Sequence, residues 1–324
     1  MLTPPLLLTP DTARHLSLLR TLGEAELSPY SRWQWLGWDA SSRYLLSVQK
    51  QGGMSLRWWD LHSEGADPLA AHFISGCVAA WFLPGSQRLL SVTVRGTLQT
   101  WSISDGRLLS SVETGGTVSH AFLSSDGTRL LLVASVGRVL LWDLERRWLV
   151  WRKEEPWQLH DCALSPDGAF AAVGAAEDQQ DLDTRAALLL WDARTGRRIT
   201  TRAFDARRIW AVAFTPSGEH LVAANSSGEL LFLTLPTLET ARTLRAPASF
   251  ALHLEFNPEG TLLAASPDTS AFAVINVRDG QRVFAYSDLD DQQGSTANFS
   301  PDGRFVAWGM DDGKVGLWGV KPKS

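Results

Sequence analysis

Residues 299–309 read FSPDGRFVAWG, and residues 164–174 read LSPDGAFAAVG. Each is an apolar residue, a tight turn and a second apolar run. Proline presets φ at the first turn position, Asp or Ser bonds back to the local backbone, and glycine accepts positive φ. The second run, such as Arg304 to Trp308, is β-prone, so the phrase predicts strand, turn, strand. Weaker copies start at Phe256 (FNPEGTLLAAS), Phe214 (FTPSGEHLVAA), Leu123 (LSSDGTRLLLV), Phe82 (FLPGSQRLLSV) and Trp38 (WDASSRYLLSV). These seven heads are spaced by 44, 41, 41, 50, 42 and 43 residues.

A second marker keeps the same beat. Trp-Asp occurs at Trp59-Asp60, Trp142-Asp143 and Trp191-Asp192. A lone Trp holds the place at Trp101 and Trp318, and Leu233 and Ile275 hold it in the other two repeats. Each marker ends a third apolar run, as in GRVLLWD, and a polar link leads to a fourth, such as Arg198 to Phe204. Four short strands in about 40–45 residues, repeated, are the signature of a propeller blade.

On these residues the chain resembles the WD-repeat β-propeller family over residues 14–320. The fold class expected is all-β, a seven-bladed β-propeller, as a single domain over 1–324 with residues 1–13 as a lead-in. After Trp318 only GVKPKS remains, so the seventh blade lacks a fourth strand. The segment from His15 to Leu22 is one to spare, and it is expected to close that blade. Closure matters because an unpaired sheet edge invites aggregation. Thr9-Pro10-Asp11 ahead of it predicts a single helical turn with Pro at its first position. The family's buried network of a Gly-His dipeptide, Ser or Thr, Asp and Trp is hardly represented. No Gly-His occurs, and the Asp position is filled only by Asp312. The blades are therefore expected to rest on apolar packing, with the marker tryptophans in the core.

The bulk numbers fit an ordinary globular chain: 324 residues, 44% hydrophobic, 20% charged. A net charge of −5 argues against a nucleic-acid partner. No apolar run is long enough for a membrane helix, and MLTPPLLLTPD lacks the basic start of a signal peptide. Two cysteines, Cys77 and Cys162, make no disulfide framework and are read as small core residues in first strands. A reduced, cytoplasmic location is expected.

The resemblance implies that loops between strands four and one, and between two and three, share one face, the top. Those loops are acidic: Glu24, Glu26, Glu154, Glu155, Asp288, Asp290, Asp291, Asp311 and Asp312. The long insertion from Gly174 to Ala186 belongs with them. The other face carries Arg146, Arg147, Arg194, Arg197, Arg198, Arg278 and Arg282. Residues just ahead of each first strand are expected around the mouth: Arg32, Thr117, Trp157, Gln158, Arg208, Phe250 and Gln293, with Tyr30 alongside. Exposed aromatics with arginine are the usual interface anchors, and Trp157, after Glu-Glu-Pro, is the leading candidate.

His120, Asp161 and His253 occupy one equivalent position, three before the head, and His160 adjoins Asp161. Convergence of such groups would be needed for acid–base or metal chemistry. Buried polar residues bonded to neighbouring backbone are the expected explanation. Asp178, Asp181 and Asp183 lack the pattern of a calcium loop. No catalytic, metal or cofactor-binding motif is present. The reading is a non-enzymatic scaffold that binds a protein or peptide, chiefly through the acidic top face. The alternatives are an enzyme or ligand sensor using the axial channel, or a subunit bound along its rim, where Trp148 and Trp151 lie.

Overall fold

The structure, a computed structural model, describes residues 4–24, 34–51, 53–134, 137–177, 185–245, 251–267, 271–287, 295–310 and 312–322. A 3-10 turn, Thr12–His15, leads into β1 (Ser17–Leu22). Blade 1 holds β2 (Gln34–Trp38), β3 (Tyr44–Gln51), β4 (Gly53–Asp60) and β5 (Ala70–Phe73). Blade 2 holds β6 (Cys77–Phe82), β7 (Arg88–Thr93), β8 (Thr97–Ser102) and β9 (Leu108–Glu113). Blade 3 holds β10 (Val118–Leu123), β11 (Arg129–Ala134), β12 (Arg138–Asp143) and β13 (Trp148–Glu154). Blade 4 holds β14 (Gln158–Leu164), β15 (Phe170–Ala176), β16 (Ala186–Asp192) and β17 (Arg198–Phe204). Blade 5 holds β18 (Ile209–Phe214), β19 (His220–Asn225), β20 (Glu229–Thr234) and β21 (Thr240–Arg245). Blade 6 holds β22 (His253–Phe256), β23 (Leu262–Ser266), β24 (Ala271–Asn276) and β25 (Arg282–Ser287). Blade 7 holds β26 (Ala297–Phe299), β27 (Val306–Gly309) and β28 (Val315–Gly319).

Every blade is a four-stranded antiparallel meander, and the chain is a seven-bladed β-propeller. The last sheet runs β1-β28-β27-β26, so the N-terminal segment supplies its fourth strand, with Ser17 opposite Gly319 and Leu22 opposite Val315. The helical turn ahead of β1 begins at Thr12 rather than Pro10, and reciprocal bonds between Thr9 and Thr12 set it.

The blades fall into two compact units. One comprises Met1–Thr93, Thr97–Glu113 and His253–Ser324, and carries blades 6, 7, 1 and 2. The other comprises Val94–Gly96 and Thr114–Leu252, and carries blades 3, 4 and 5. In each, apolar residues two apart on a strand face the next sheet, as the period of a strand requires. In the second unit, Leu131, Val133 and Leu141 of blade 3 meet Val173, Leu189 and Trp191 of blade 4. In the first, Leu8, Ala13 and Leu16 join Phe272, Trp308 and Trp318 in one cluster.

The repeated phrase folds as its chemistry dictates. Ser165 Oγ donates to Asp167 (2.6 Å) and accepts from the Phe170 N–H (2.9 Å), while Gly168 takes φ +68°. Ser300 with Asp302 repeats the arrangement. In WDASSRYLLSV the left-handed place falls to Ser42 (φ +59°), whose Oγ accepts the Asp302 N–H at 2.9 Å.

Candidate functional site

Backbone bonds show which loops share an end of a blade. In blade 3 the Glu155 N–H donates to the Gly137 carbonyl (2.8 Å), joining the four-to-one loop to the two-to-three loop. In blade 5 the Ser226 N–H donates to the Arg208 carbonyl (3.0 Å). At the opposite end of blade 4, the Ala193 N–H donates to the Ala169 carbonyl (2.8 Å). This is the sorting of loops that the family resemblance implies.

The described part of the expected site lies in the second unit, where blade 3 hands over to blade 4. Glu154 is exposed and pairs with Arg152 at 2.9 Å. Glu155 is not displayed to solvent. Its carboxylate is ion-paired with Arg198, and the Arg198 guanidinium also lies over the Trp191 ring at 4.3 Å. Loop sorting puts these two residues at opposite blade ends. The long arginine stem crosses Trp191 and brings the charges together, so Glu155 adds little to an acidic surface. Trp157 is half-buried and packs on the cluster between blades 3 and 4, so it is a partial lid rather than a free anchor. Gln158 is half-buried at the start of β14. Arg208 is half-exposed, its guanidinium 4.9 Å from the Trp210 ring, and it has no ion-pair partner among the described residues. Tyr30, Arg32, Phe250, Asp290, Asp291 and Gln293 lie outside the described residues, as do Asp178, Asp181 and Asp183.

Two residues extend this surface beyond the expected set. Trp210 alternates with Arg208 along the chain into β18, and the His160 ring lies 5.3 Å from it at 50°. The only sequence signal was the alternation Arg208-Ile-Trp210, which marks two side chains on one face of a strand.

Asp161 is strongly perturbed. Its Oδ2 accepts the Val212 N–H (2.8 Å), linking β14 to the first strand of the next blade. Burial lifts its carboxyl from the ordinary 3.8 to about 7, against the pull of N–H donors from Val212 and Cys162. His160 is held down to about 4 by burial first and by the charge of Arg208 second. Between about pH 4 and 7 the folded protein therefore keeps a proton on Asp161 that the unfolded chain has lost, and stability falls as pH rises through that window. His160 has the opposite slope, losing stability as pH falls below its ordinary 6.5. Asp161→Asn removes the first slope alone. Its melting temperature relative to wild type is expected to climb by several degrees between about pH 4 and pH 7.5, an effect of at most a few kcal/mol because Asp161 keeps some accessible surface. A difference that stays constant with pH would mean that the carboxyl is ionised in the folded state.

No protein-family model matches the chain. It is similar to telomerase protein component 1 of Mus musculus, 26% identical over 279 residues, 85% of this chain but 10% of that protein. It is similar to WD repeat-containing protein SL1-17 of Schistosoma mansoni, 25% identical over 49% of each chain. An uncharacterized WD repeat-containing protein of Synechocystis is 30% identical over 34% of this chain and 31% of its own length. The chain thus spans about a tenth of one relative and half or less of the other two. These names stand beside seven four-stranded blades, five of them with Trp at the end of the third strand. The chain is a WD-repeat β-propeller.

Within this WD-repeat propeller the family's polar network survives only in fragments. Trp101 donates to Ser91 Oγ at 2.9 Å in blade 2. Asp312 pairs with Lys314 instead, and the buried Trp318 Nε1 has no hydrogen-bond partner among the described residues. Trp59, Trp101, Trp191 and Trp318 are core, as are Leu233 and Ile275. Trp142 is the exception, half-buried with its enclosed Nε1 unpartnered among the described residues. Cys77 and Cys162 are buried in β6 and β14 as free thiols raised by burial.

The three equivalent polar positions have separate local partners. His120 Nδ1 lies 3.2 Å from Ser119 Oγ. His253, in the other unit, sits 3.5 Å from Asn298 and 4.0 Å from Glu255. Among the described residues no three His, Cys, Asp or Glu stand together as a metal set. Among them, too, no helix is long and apolar enough to cross a membrane.

Proposed function

We propose that this WD-repeat propeller is a non-enzymatic scaffold that takes a protein or peptide partner at the loops leading into its first strands, on the top face. Propellers of this kind are commonly protein-interaction platforms. The observation that carries the reading is the Arg208–Trp210–His160 group beside Trp157 and Gln158. It offers a guanidinium with no ion-pair partner among the described residues and partly open aromatic surface, the residue types that dominate binding energy. Tyr30, Arg32, Phe250, Asp290, Asp291 and Gln293 are proposed as further partner contacts. Glu154 with those aspartates steers a partner that has a basic surface. The relative named as a telomerase component is by that name part of something larger, which favours a scaffold in an assembly.

The test is affinity purification with quantitative mass spectrometry, followed by binding kinetics on the purified partner. Arg208→Glu is expected to reduce retention about tenfold while leaving folding intact, since the side chain is half-exposed. Glu154→Lys is expected to slow association and weaken its salt dependence, because such charges act within about 8 Å at physiological salt. Retention of the same partners at wild-type levels by Arg208→Glu would place the binding surface elsewhere.

A further inference from the structure

We propose that the outer edge of blade 3 docks an extended acidic segment of a partner protein, held by Trp148, Leu149 and the arginines of two adjoining turns. This surface is distinct from the top-face loops around Arg208 and Trp210 and does not depend on their binding a partner.

The first observation is a broken turn rule. The turn between third and fourth strands puts glycine in the left-handed region in blades 2, 4 and 6: Gly106, Gly196 and Gly280, at φ +69°, +67° and +73°. Blade 3 puts Arg147 there, at φ +57°. The register is the same, since Leu149 pairs with Trp142 as Arg198 pairs with Trp191. A side chain in this region costs about 1–2 kcal/mol. Blade 5 also carries a non-glycine, Leu238, but that side chain is fully buried and its packing offsets the cost. Arg147 is exposed, and its guanidinium has no partner among the described residues. Strain of this kind without a packing return marks a functional position.

The second observation concerns the two residues after Arg147. Trp148 is 54% exposed and Leu149 40%, with the Arg146 guanidinium 5.6 Å from the Trp148 ring. They open β13, the terminal strand of its sheet, whose far edge is paired with no described strand. Such an edge accepts an added strand through its backbone groups.

Third, the charge around this edge is set by two blades. Trp151 is buried, and its Nε1–H donates to the Ala193 carbonyl at 2.8 Å. A Cβ at Gly196 would stand 2.7 Å from Trp151 Cγ. The blade 4 turn is thereby pressed against β13, with Arg194 and Arg197 exposed on it. Three of the neighbouring acids are ion-paired, and a fourth, Asp192, is held by a neutral hydroxyl. Asp143 accepts the Arg146 N–H, Asp192 accepts Thr195, Glu154 holds Arg152, and Glu155 holds Arg198. Among the described residues this leaves Glu145 and Asp192 against Arg147, Arg194 and Arg197, a small local excess of positive charge. This local cationic surface, on a chain of net charge −5, fits an acidic strand with apolar residues for Trp148 and Leu149. A nucleic acid would meet here, among the described residues, one exposed indole on a chain of net charge −5.

The experiment is fluorescence anisotropy with three labelled probes on the full chain. They are a peptide of about ten residues alternating Glu and Val, its Lys–Val counterpart, and an oligouridylate of similar length. The Glu–Val peptide is expected to bind, more weakly as salt rises, and to bind Trp148→Ala about tenfold less tightly. Arg147→Gly is expected to weaken binding severalfold while raising the melting temperature, because it relieves the left-handed side chain. A purely structural Arg147 would not give that opposition. Arg208→Glu is expected to bind the peptide like wild type. Failure of the Glu–Val peptide to bind, equal binding by the Lys–Val peptide, or unchanged binding by both edge variants would each overturn the proposal. Preferential binding of the oligouridylate would overturn it in favour of a nucleic-acid surface.

Discussion

Deleting residues 1–24 is expected to leave an aggregating protein rather than a folded one. The segment removes more than a strand. It takes away the partner of β28 and the buried side chains Leu8, Ala13, Leu16 and Leu22. Three leucines at about 1.5–3 kcal/mol each amount to a large share of a typical total stability of about 5–15 kcal/mol. The Leu6 N–H also bonds the Val320 carbonyl, and Arg304 bonds the Pro5 carbonyl, so the lead-in is tied down along its length. β28 would be left with an open edge carrying Leu317 and Trp318, a template for pairing between molecules. Light scattering and size-exclusion chromatography of the truncated chain provide the check. A monodisperse truncation with wild-type melting would show that β1 is dispensable.

Gly137→Ala is expected to cost at least about 2 kcal/mol more than Gly168→Ala, although both glycines have nearly the same φ, +71° and +68°. The left-handed penalty is shared and amounts to about 1–2 kcal/mol. What differs is the space. Nothing lies within 4 Å of a Cβ at Gly168, whereas one at Gly137 would fall inside the Glu155 carbonyl oxygen and 3.2 Å from that of Trp157. Backbone cannot rotate away as a side chain can, so the loop from Glu155 to Trp157 must shift. That loop leads into the proposed binding surface, so Gly137→Ala should also weaken partner retention. Urea denaturation of the two variants measures the difference. Equal costs would mean that the blade 3 loop yields freely.

The fold was legible because two markers in different strands repeat with one period. Seven heads and seven third-strand ends leave one architecture, and the shortfall after Trp318 points to β1 as the missing strand. The site was less legible, for reasons of side-chain reach. Glu155 and Arg198 sort to opposite blade ends by loop counting, yet a guanidinium stem spans the distance. Trp157 reads as exposed from its loop, but the packing between blades 3 and 4 draws it in. Trp151, next to exposed Trp148 and Leu149 on β13, reads as rim and is core, because β13 leans its inner face on the following blade. Trp142 holds the core position of the motif and is only half-buried. Loop membership decides which end of a blade a backbone reaches. It does not decide where a long side chain goes.

Closure by β1 also has a consequence in time. Ser17 and its partner Gly319 are separated by 302 residues. During synthesis at about 5–20 residues per second, the first strand waits roughly 15–60 s for its partner to exist. Through that interval Leu16 has no core to enter, Leu22 can reach only Leu36, Leu45 and Trp59 of blade 1, and the Arg20 guanidinium, which ends on the carbonyls of Leu61 and Ser63, can engage only blade 1. Arg20 thus offers an early tether that parks the nascent segment beside the place where the last sheet will form. The last sheet to be completed takes a strand made before any of the blades, held near its destination by a side chain that binds backbone made within the next few dozen residues.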